Sequence, residues 1–120
     1  MGKYSIFKAI SLEDSHYQAI KKLLQQLTTR DVKFSVEEYI KQLESPNSPL
    51  FLLSDNNNVI GMLTIGLYFS PTGSKAWIED VVIDNAYRRC GLGKKLLSYA
   101  IDYCKSQGIE TLMLTSNPSR

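Results

Sequence analysis

The stretch Trp77-Ile78-Glu79-Asp80-Val81-Val82-Ile83-Asp84, followed after three residues by Arg88-Arg89-Cys90-Gly91-Leu92-Gly93-Lys94, decides the fold. Ala76 to Ile83 is a β-like run of strand length, rich in branched apolar residues. From Gly91 to Gln107, Leu92, Leu96, Leu97, Ala100, Ile101 and Cys104 fall on one helical face, while Lys94, Lys95, Ser98, Asp102 and Lys105 fall elsewhere. A strand, a glycine-bearing turn and an amphipathic helix therefore follow one another. At such a junction the first backbone N–H groups of the helix and the positive end of its dipole converge on an anion. Glycines at 91 and 93 let the chain bend so that successive amides point inward, and they remove side chains that would keep a diphosphate at a distance. The pattern constrains only Arg88, Gly91 and Gly93, so its weight comes from its place between strand and helix.

Upstream, Val59 to Phe69 and Leu50 to Leu53 are two more β-like runs, separated by Asp55-Asn56-Asn57-Asn58, whose short polar side chains tolerate left-handed turns. Ser70-Pro71-Thr72-Gly73 makes the next turn, so the middle of the chain reads as an antiparallel meander. Before it, Ser35 and Glu38 have capping-box spacing and Phe34 and Tyr39 staple spacing, which predicts a helix from Ser35 to about Glu44. Ser45-Pro46-Asn47-Ser48-Pro49 then reads as a loop. Tyr4 to Ile10 predicts a first strand. Ser11 reads as the N-cap of a helix to about Leu27, with Ala19, Ile20, Leu23, Leu24 and Leu27 as its apolar stripe. Downstream, Gly108 suits the position past a helix end and Thr111 to Leu114 reads as a last strand. The expectation is an α+β domain over 1–120, with a mostly antiparallel mixed sheet flanked by helices.

Composition narrows the class of function. The 120 residues, 43% hydrophobic, suit one domain with a single core. A net charge of +2 lacks the basic stripe of a nucleic-acid binder. The longest apolar run, Val59 to Phe69, is interrupted by Gly61, Thr64 and Gly66 and is far shorter than the roughly 20 residues of a membrane span. With no signal-peptide pattern at Met1 to Ser5, a cytoplasmic location is expected. Cys90 and Cys104 fit no metal-ligand spacing and read as free thiols, so no metal is expected. Four basic residues, Arg88, Arg89, Lys94 and Lys95, lie within eight positions. Two readings of this cluster stand side by side: a solvated helix end, and long-range attraction for an anion. Lys95 stands where a P-loop needs a hydroxyl, so the run is not an ATPase motif.

The segment Trp77 to Asp84 followed by Arg88 to Lys94 resembles the GNAT superfamily of acyl-CoA-dependent N-acetyltransferases, and the order of elements from Tyr4 onward matches that fold. The resemblance implies acetyl-CoA as cosubstrate. It implies that the backbone of Val81, Val82 and Ile83 pairs with the pantetheine arm and that amides of Arg88, Arg89, Cys90, Gly91, Leu92, Gly93 and Lys94 hold the diphosphate. It also implies a small-molecule amine as the acceptor. Acetyl transfer needs a neutral amine, a polarised carbonyl and a proton for the departing thiolate. Glu79 is the first candidate for general base and Asp80 the second, set against exposed strand carboxylates with no catalytic role. Strand alternation would place Glu79 with Val81 and Ile83 on one face, and Asp80 with Ile78 and Val82 on the other. His16, on a helix before the cleft strands, reads as a surface residue.

The sequence departs from the family pattern at its end. Members usually continue into another helix, carrying a tyrosine proton donor, and further strands, whereas this chain stops at Ser116-Asn117-Pro118-Ser119-Arg120. A truncated fold is therefore expected. Weakened turnover follows from it, as does self-association by homodimer formation or strand exchange at the strand Thr111 to Leu114. The alternative reading is a non-catalytic acyl-CoA-binding or protein-interaction module that keeps the cradle without the chemistry.

Overall fold

The computed structural model describes residues 3–28 and 32–114. The elements run β1 (Tyr4–Lys8), α1 (Asp14–Leu27), α2 (Val36–Glu44), β2 (Leu50–Asp55), β3 (Asn58–Ser70), β4 (Gly73–Ile83), a single 3-10 turn (Asn85–Tyr87), α3 (Leu92–Ser106) and β5 (Thr111–Leu114). They form one five-stranded sheet in chain order. The first four strands pair antiparallel, and α3 carries the chain over to β5, which pairs parallel to β4. This is the mixed, mostly antiparallel α+β architecture expected. The tail Ser116–Arg120 lies outside the described residues.

Each face of the sheet carries its own core. On one face Phe51, Leu63, Ile65, Ala76 and Ile78 meet Leu92, Leu96, Ala100 and Cys104 of α3. On the other, Leu50, Leu52, Met62 and Val82 meet Tyr17, Ile20 and Leu23 of α1 and Tyr39 of α2. The α3 stripe is the one its periodicity predicts, because residues 92, 96, 100 and 104 recur one turn apart. The α2 start is also as read: Ser35 Oγ accepts the Glu38 N–H at 3.2 Å, and the Phe34 and Tyr39 rings lie 5.7 Å apart. The α1 start is a correction. Ser11 does not cap it; the helix begins at Asp14 with Glu13 at the N-cap and no side-chain cap bond. Ala9 still donates its N–H to Leu50 of the sheet at 2.8 Å, so residues 10–13 are spent crossing from strand to helix.

The second correction concerns β4. Met62 faces Val82 and Thr64 faces Glu79, so Leu63 alone stands opposite both Asp80 and Val81. One extra residue in β4 makes a β-bulge, with Asp80 in the left-handed region at φ 56°. Simple alternation fails across it. Ile78 packs in the α3 core whereas Val82 packs in the α1 core, and Val81 and Ile83 lie against the α3 core. Glu79, paired with Thr64, stands on the opposite face, the one α1 and α2 cover. The expectation that Glu79 shares a face with Val81 and Ile83 is overturned, as is the pairing of Asp80 with both Ile78 and Val82. The cause is the inserted residue, which shifts the period-2 pattern by one.

Candidate active site

Among the described residues the registered pairs of β4 with β5 run from Lys75–Thr111 to Ile78–Leu114, and β4 continues to Ile83. Val81, Val82 and Ile83 thus lie past the last registered pair among the described residues, at a strand edge of the kind that accepts an extended ligand by β-type hydrogen bonding. The chain then turns into α3. Gly91 is the N-cap of that helix at φ 74°, a backbone region that side chains disfavour, and no side chain caps the helix. The first intrahelical bond is Lys95 N–H to the Gly91 carbonyl at 3.2 Å. The N–H groups of Leu92, Gly93 and Lys94 precede that bond and have no acceptor within the helix. Arg89 is also left-handed, at φ 68°. Arg88, Arg89, Cys90, Gly91 and Lys94 are exposed, while Leu92 is buried and anchors the helix start.

Strand edge and helix start adjoin. A Cβ built on Gly93 would have as its nearest neighbour Ile83 Cγ1 at 3.9 Å, an ordinary contact, and a Cβ on Gly91 would have nothing within 4 Å. Internal packing therefore does not explain why Gly93 is a glycine. Open space over bare backbone, next to unsatisfied helical N–H groups, fits a phosphate group approaching closely. On this observation the residues present fit the diphosphate of acetyl-CoA.

The loop is braced from behind by residues the sequence reading did not single out. Asp84 accepts the Ala86 N–H at 3.0 Å and pairs with Lys22 of α1 at 3.5 Å. Gln26, one turn further along α1, accepts the Asn85 N–H at 2.7 Å. The Tyr87 hydroxyl donates to Asp55 at 2.8 Å, tying the loop to the β2–β3 turn, and that bond is the first cause of a phenol pKa above its ordinary value. A cleft of about 420 Å³ between α1 and this loop is lined by Lys22, Asp84 and Tyr87 and by none of residues 88–94. Lys22 and Gln26 are four residues apart on α1, away from its buried Ile20 and Leu23, and that spacing was the available signal.

On the face carrying Glu79, a second cleft of about 400 Å³ opens between α2 and the sheet. Phe34, Glu38, Gln42 and Ser48 wall it and Thr64, the cross-strand partner of Glu79, lines it. Gln42 Nε2 donates to Thr64 Oγ1 at 3.1 Å. Glu38 pairs with Lys41 at 3.5 Å. Glu79 and Asp80 are both exposed on β4. The bulge leaves Glu79 on the α2 face and carries Val81 and Ile83 to the other, so the acid and the strand edge meet within five residues. His16 lies apart, its Nε2 3.2 Å from Glu13. Among the described residues no cluster of His, Cys, Asp or Glu could hold a metal, and no helix is long and apolar enough to cross a membrane. Cys90 is exposed and Cys104 buried, both free.

A model of the Acetyltransferase (GNAT) family matches residues 17–120. The chain belongs to the GNAT acetyltransferase family. Members of this family use acetyl-CoA as cosubstrate. Over 42 residues the chain is 43% identical to glucosamine 6-phosphate N-acetyltransferase of Arabidopsis thaliana. That match takes in 35% of this chain and 28% of the relative's length, well under two thirds of it. Two solved structures carry the same GNAT fold. One is an aminoglycoside acetyltransferase from an uncultured soil metagenomic sample, at TM-score 0.84 and 19% identity over 95% of this chain and 78% of that one. The other is the Arabidopsis thaliana glucosamine-6-phosphate N-acetyltransferase, at TM-score 0.79 and 24% identity over 96% of this chain and 83% of that one.

Proposed function

We propose that this GNAT-family chain transfers the acetyl group of acetyl-CoA to the primary amine of a small molecule. The observation that carries the reading is the junction of the β4 edge with the uncapped start of α3, where Gly93 keeps open a space that internal packing does not need. Acetyl-CoA supplies an acyl thioester: the amine adds to its carbonyl carbon, the C–S bond breaks as the C–N bond is kept, and the departing thiolate takes up the proton that the nitrogen sheds. In this reading the amides of residues 88–94 hold the diphosphate, several charge-assisted hydrogen bonds of about 1.5–3 kcal/mol each. Val81, Val82 and Ile83 align the pantetheine arm along β4. Arg89 and Lys94 add long-range attraction for the anion.

Glu79 is the proposed general base. Its carboxylate lies just before the bulge on the face that bears the α2 cleft, where it takes a proton from an ammonium and leaves the amine free to attack. Asp80, at the bulge itself, is the second candidate for that proton. The acceptor cleft would then be the space over Thr64, between α2 and β4, and the partial likeness to a glucosamine 6-phosphate N-acetyltransferase supports an aminosugar phosphate as the acceptor class. Release of free thiol from acetyl-CoA with a panel of amines tests the reading. Thiol released in step with acetylated amine supports it. Acetyl-CoA binding without turnover selects the non-catalytic module instead, and absence of binding removes both.

A further inference from the structure

Gly66 has no structural reason to be a glycine. It sits inside β3, it is not among the glycines of positive φ, and a Cβ added to it would meet nothing within 4 Å. A strand glycine costs conformational entropy and often marks a bulge or a place where a ligand or another backbone comes close; the Asn47–Pro49 segment does run beside β3, accepting the Ile65 and Leu67 N–H groups at 3.0 and 2.8 Å, yet it leaves the space over Gly66 open. Register excludes the bulge, because Ile65, Gly66 and Leu67 face Ile78, Trp77 and Ala76 in unbroken order. The same open space excludes an aromatic side chain folded across the glycine. Trp77 is directly opposite, yet no atom of it comes within 4 Å of that position.

What surrounds the bare patch is chemically specific. Ile65 and Ile78 belong to the α3 core, so Thr64, Gly66, Trp77 and Glu79 project from the other face. Trp77 is 37% exposed beside the patch, and Glu79 follows it on the same face of β4, about 7 Å along the strand. Thr64 precedes Gly66 on β3 and holds Gln42 by the 3.1 Å bond. Since Gln42 donates there through Nε2, its carbonyl oxygen and the Thr64 hydroxyl proton remain for another partner among the described residues. The one nearby cation on α2, Lys41, is paired with Glu38.

We propose that the Gly66 patch is the seat of the acceptor's body, and that it takes an amine carried on a saturated, hydroxyl-bearing ring. The ring lies flat on the β3 backbone with one apolar face against the Trp77 indole. Its ammonium reaches Glu79 and its hydroxyl rim meets Thr64 and Gln42. A linear alkylamine offers no hydroxyl rim, and an arylamine without ring hydroxyls has no donor left for Gln42 once its nitrogen faces Glu79. The identity of the ammonium partner rests on the acetyl-transfer reading; the seat itself does not.

Trp77 is the only tryptophan of the chain, so its emission reports on the seat directly. The test measures acrylamide quenching of Trp77 in the full chain, titrated with glucosamine and, for comparison, with n-butylamine. The same titration is run on Gly66→Val, together with denaturant stability and calorimetric acetyl-CoA binding. Glucosamine is expected to protect Trp77 in the unaltered chain, with n-butylamine at least tenfold less effective. Gly66→Val should fold with equal or greater stability, bind acetyl-CoA unchanged, and need at least tenfold more glucosamine for the same protection. Should Gly66→Val fail to fold, Gly66→Ala, whose methyl stays in open space, carries the comparison. Equal protection in the variant, equal protection by n-butylamine, or a Trp77 already shielded in the free protein would overturn the proposal. Loss of acetyl-CoA binding in the unaltered chain would instead strike at the acetyl-transfer reading, leaving the quenching result to judge the seat.

Discussion

Replacing Gly93 by alanine separates a structural glycine from one that serves a ligand. Gly93 is the second residue of α3, in a helical conformation, and the added methyl meets Ile83 Cγ1 at 3.9 Å and nothing closer. A glycine in a helix costs roughly 0.5–1 kcal/mol relative to alanine, so the free protein should become more stable by up to about that amount. In the proposed mode of binding, the same methyl stands where backbone N–H groups approach the diphosphate. Loss of one charge-assisted hydrogen bond, about 1.5–3 kcal/mol, corresponds to a roughly 10- to 150-fold weaker Kd. Denaturant unfolding measures the first effect and calorimetric titration with coenzyme A the second. Opposite signs, with stability kept or raised and affinity lost, are the expected result. A stabilised variant that binds coenzyme A as tightly as the parent would refute the assignment of residues 88–94 as the anion seat. A destabilised one would show that Gly93 serves the fold.

Three further outcomes are expected. Glu79→Gln should lower kcat/KM by about 100- to 10,000-fold with the acetyl-CoA Kd unchanged, and Asp80→Asn should do less; steady-state kinetics with a fixed amine checks both. Tyr39 is fully buried, its hydroxyl has no hydrogen-bond partner among the described residues, and burial followed by the nearby Glu13 raises its pKa above 10.0. Because the folded-state pKa is the higher one, this contribution is whole below pH 10.0 and is lost as pH rises through the raised value. Tyr39→Phe should therefore stabilise the protein by about 1 kcal/mol at neutral pH and flatten the alkaline end of its stability profile, as pH-stepped urea unfolding would record. Finally, β5 pairs with β4 alone among the described residues and Leu114 is 57% exposed, so concentration-dependent self-association is expected. Light scattering that finds a monodisperse monomer at high concentration would count against it.

Much of this architecture was legible because it rests on local rules. Ser35 and Glu38 announce α2 through a bond between neighbours, and the α3 stripe Leu92, Leu96, Ala100 and Cys104 is a repeat of the helix period. The junction of β4 with α3 was legible because a strand, a glycine turn and a helix have only a few ways to follow each other. The bulge was not. One inserted residue leaves no periodic trace, and Asp80 in a left-handed conformation looks in sequence like any other polar residue of an apolar strand. Yet that residue decides which face carries Glu79, so the acid's placement depends on the feature least visible in the sequence. The Ser11 cap failed for a related reason: capping residues announce where a helix can start, while the distance from β1 to the α1 packing site decides where it does. Lys22 and Gln26 act on a loop some 60 positions away; their spacing on α1 marks one helix face, but it does not say what that face meets. In the sequence Gly66 stands only as an interruption of an apolar run; its meaning comes from the open space around it.

The most direct test of the central claim is a single-tube reaction of the full chain with acetyl-CoA and glucosamine 6-phosphate, following free thiol by absorbance and the amine by mass spectrometry. Thiol release should depend on the amine, match acetylated amine one for one, and fall with Glu79→Gln. Coenzyme A binding accompanied by no acetylated amine, across this acceptor and a panel of other primary amines, would contradict that claim.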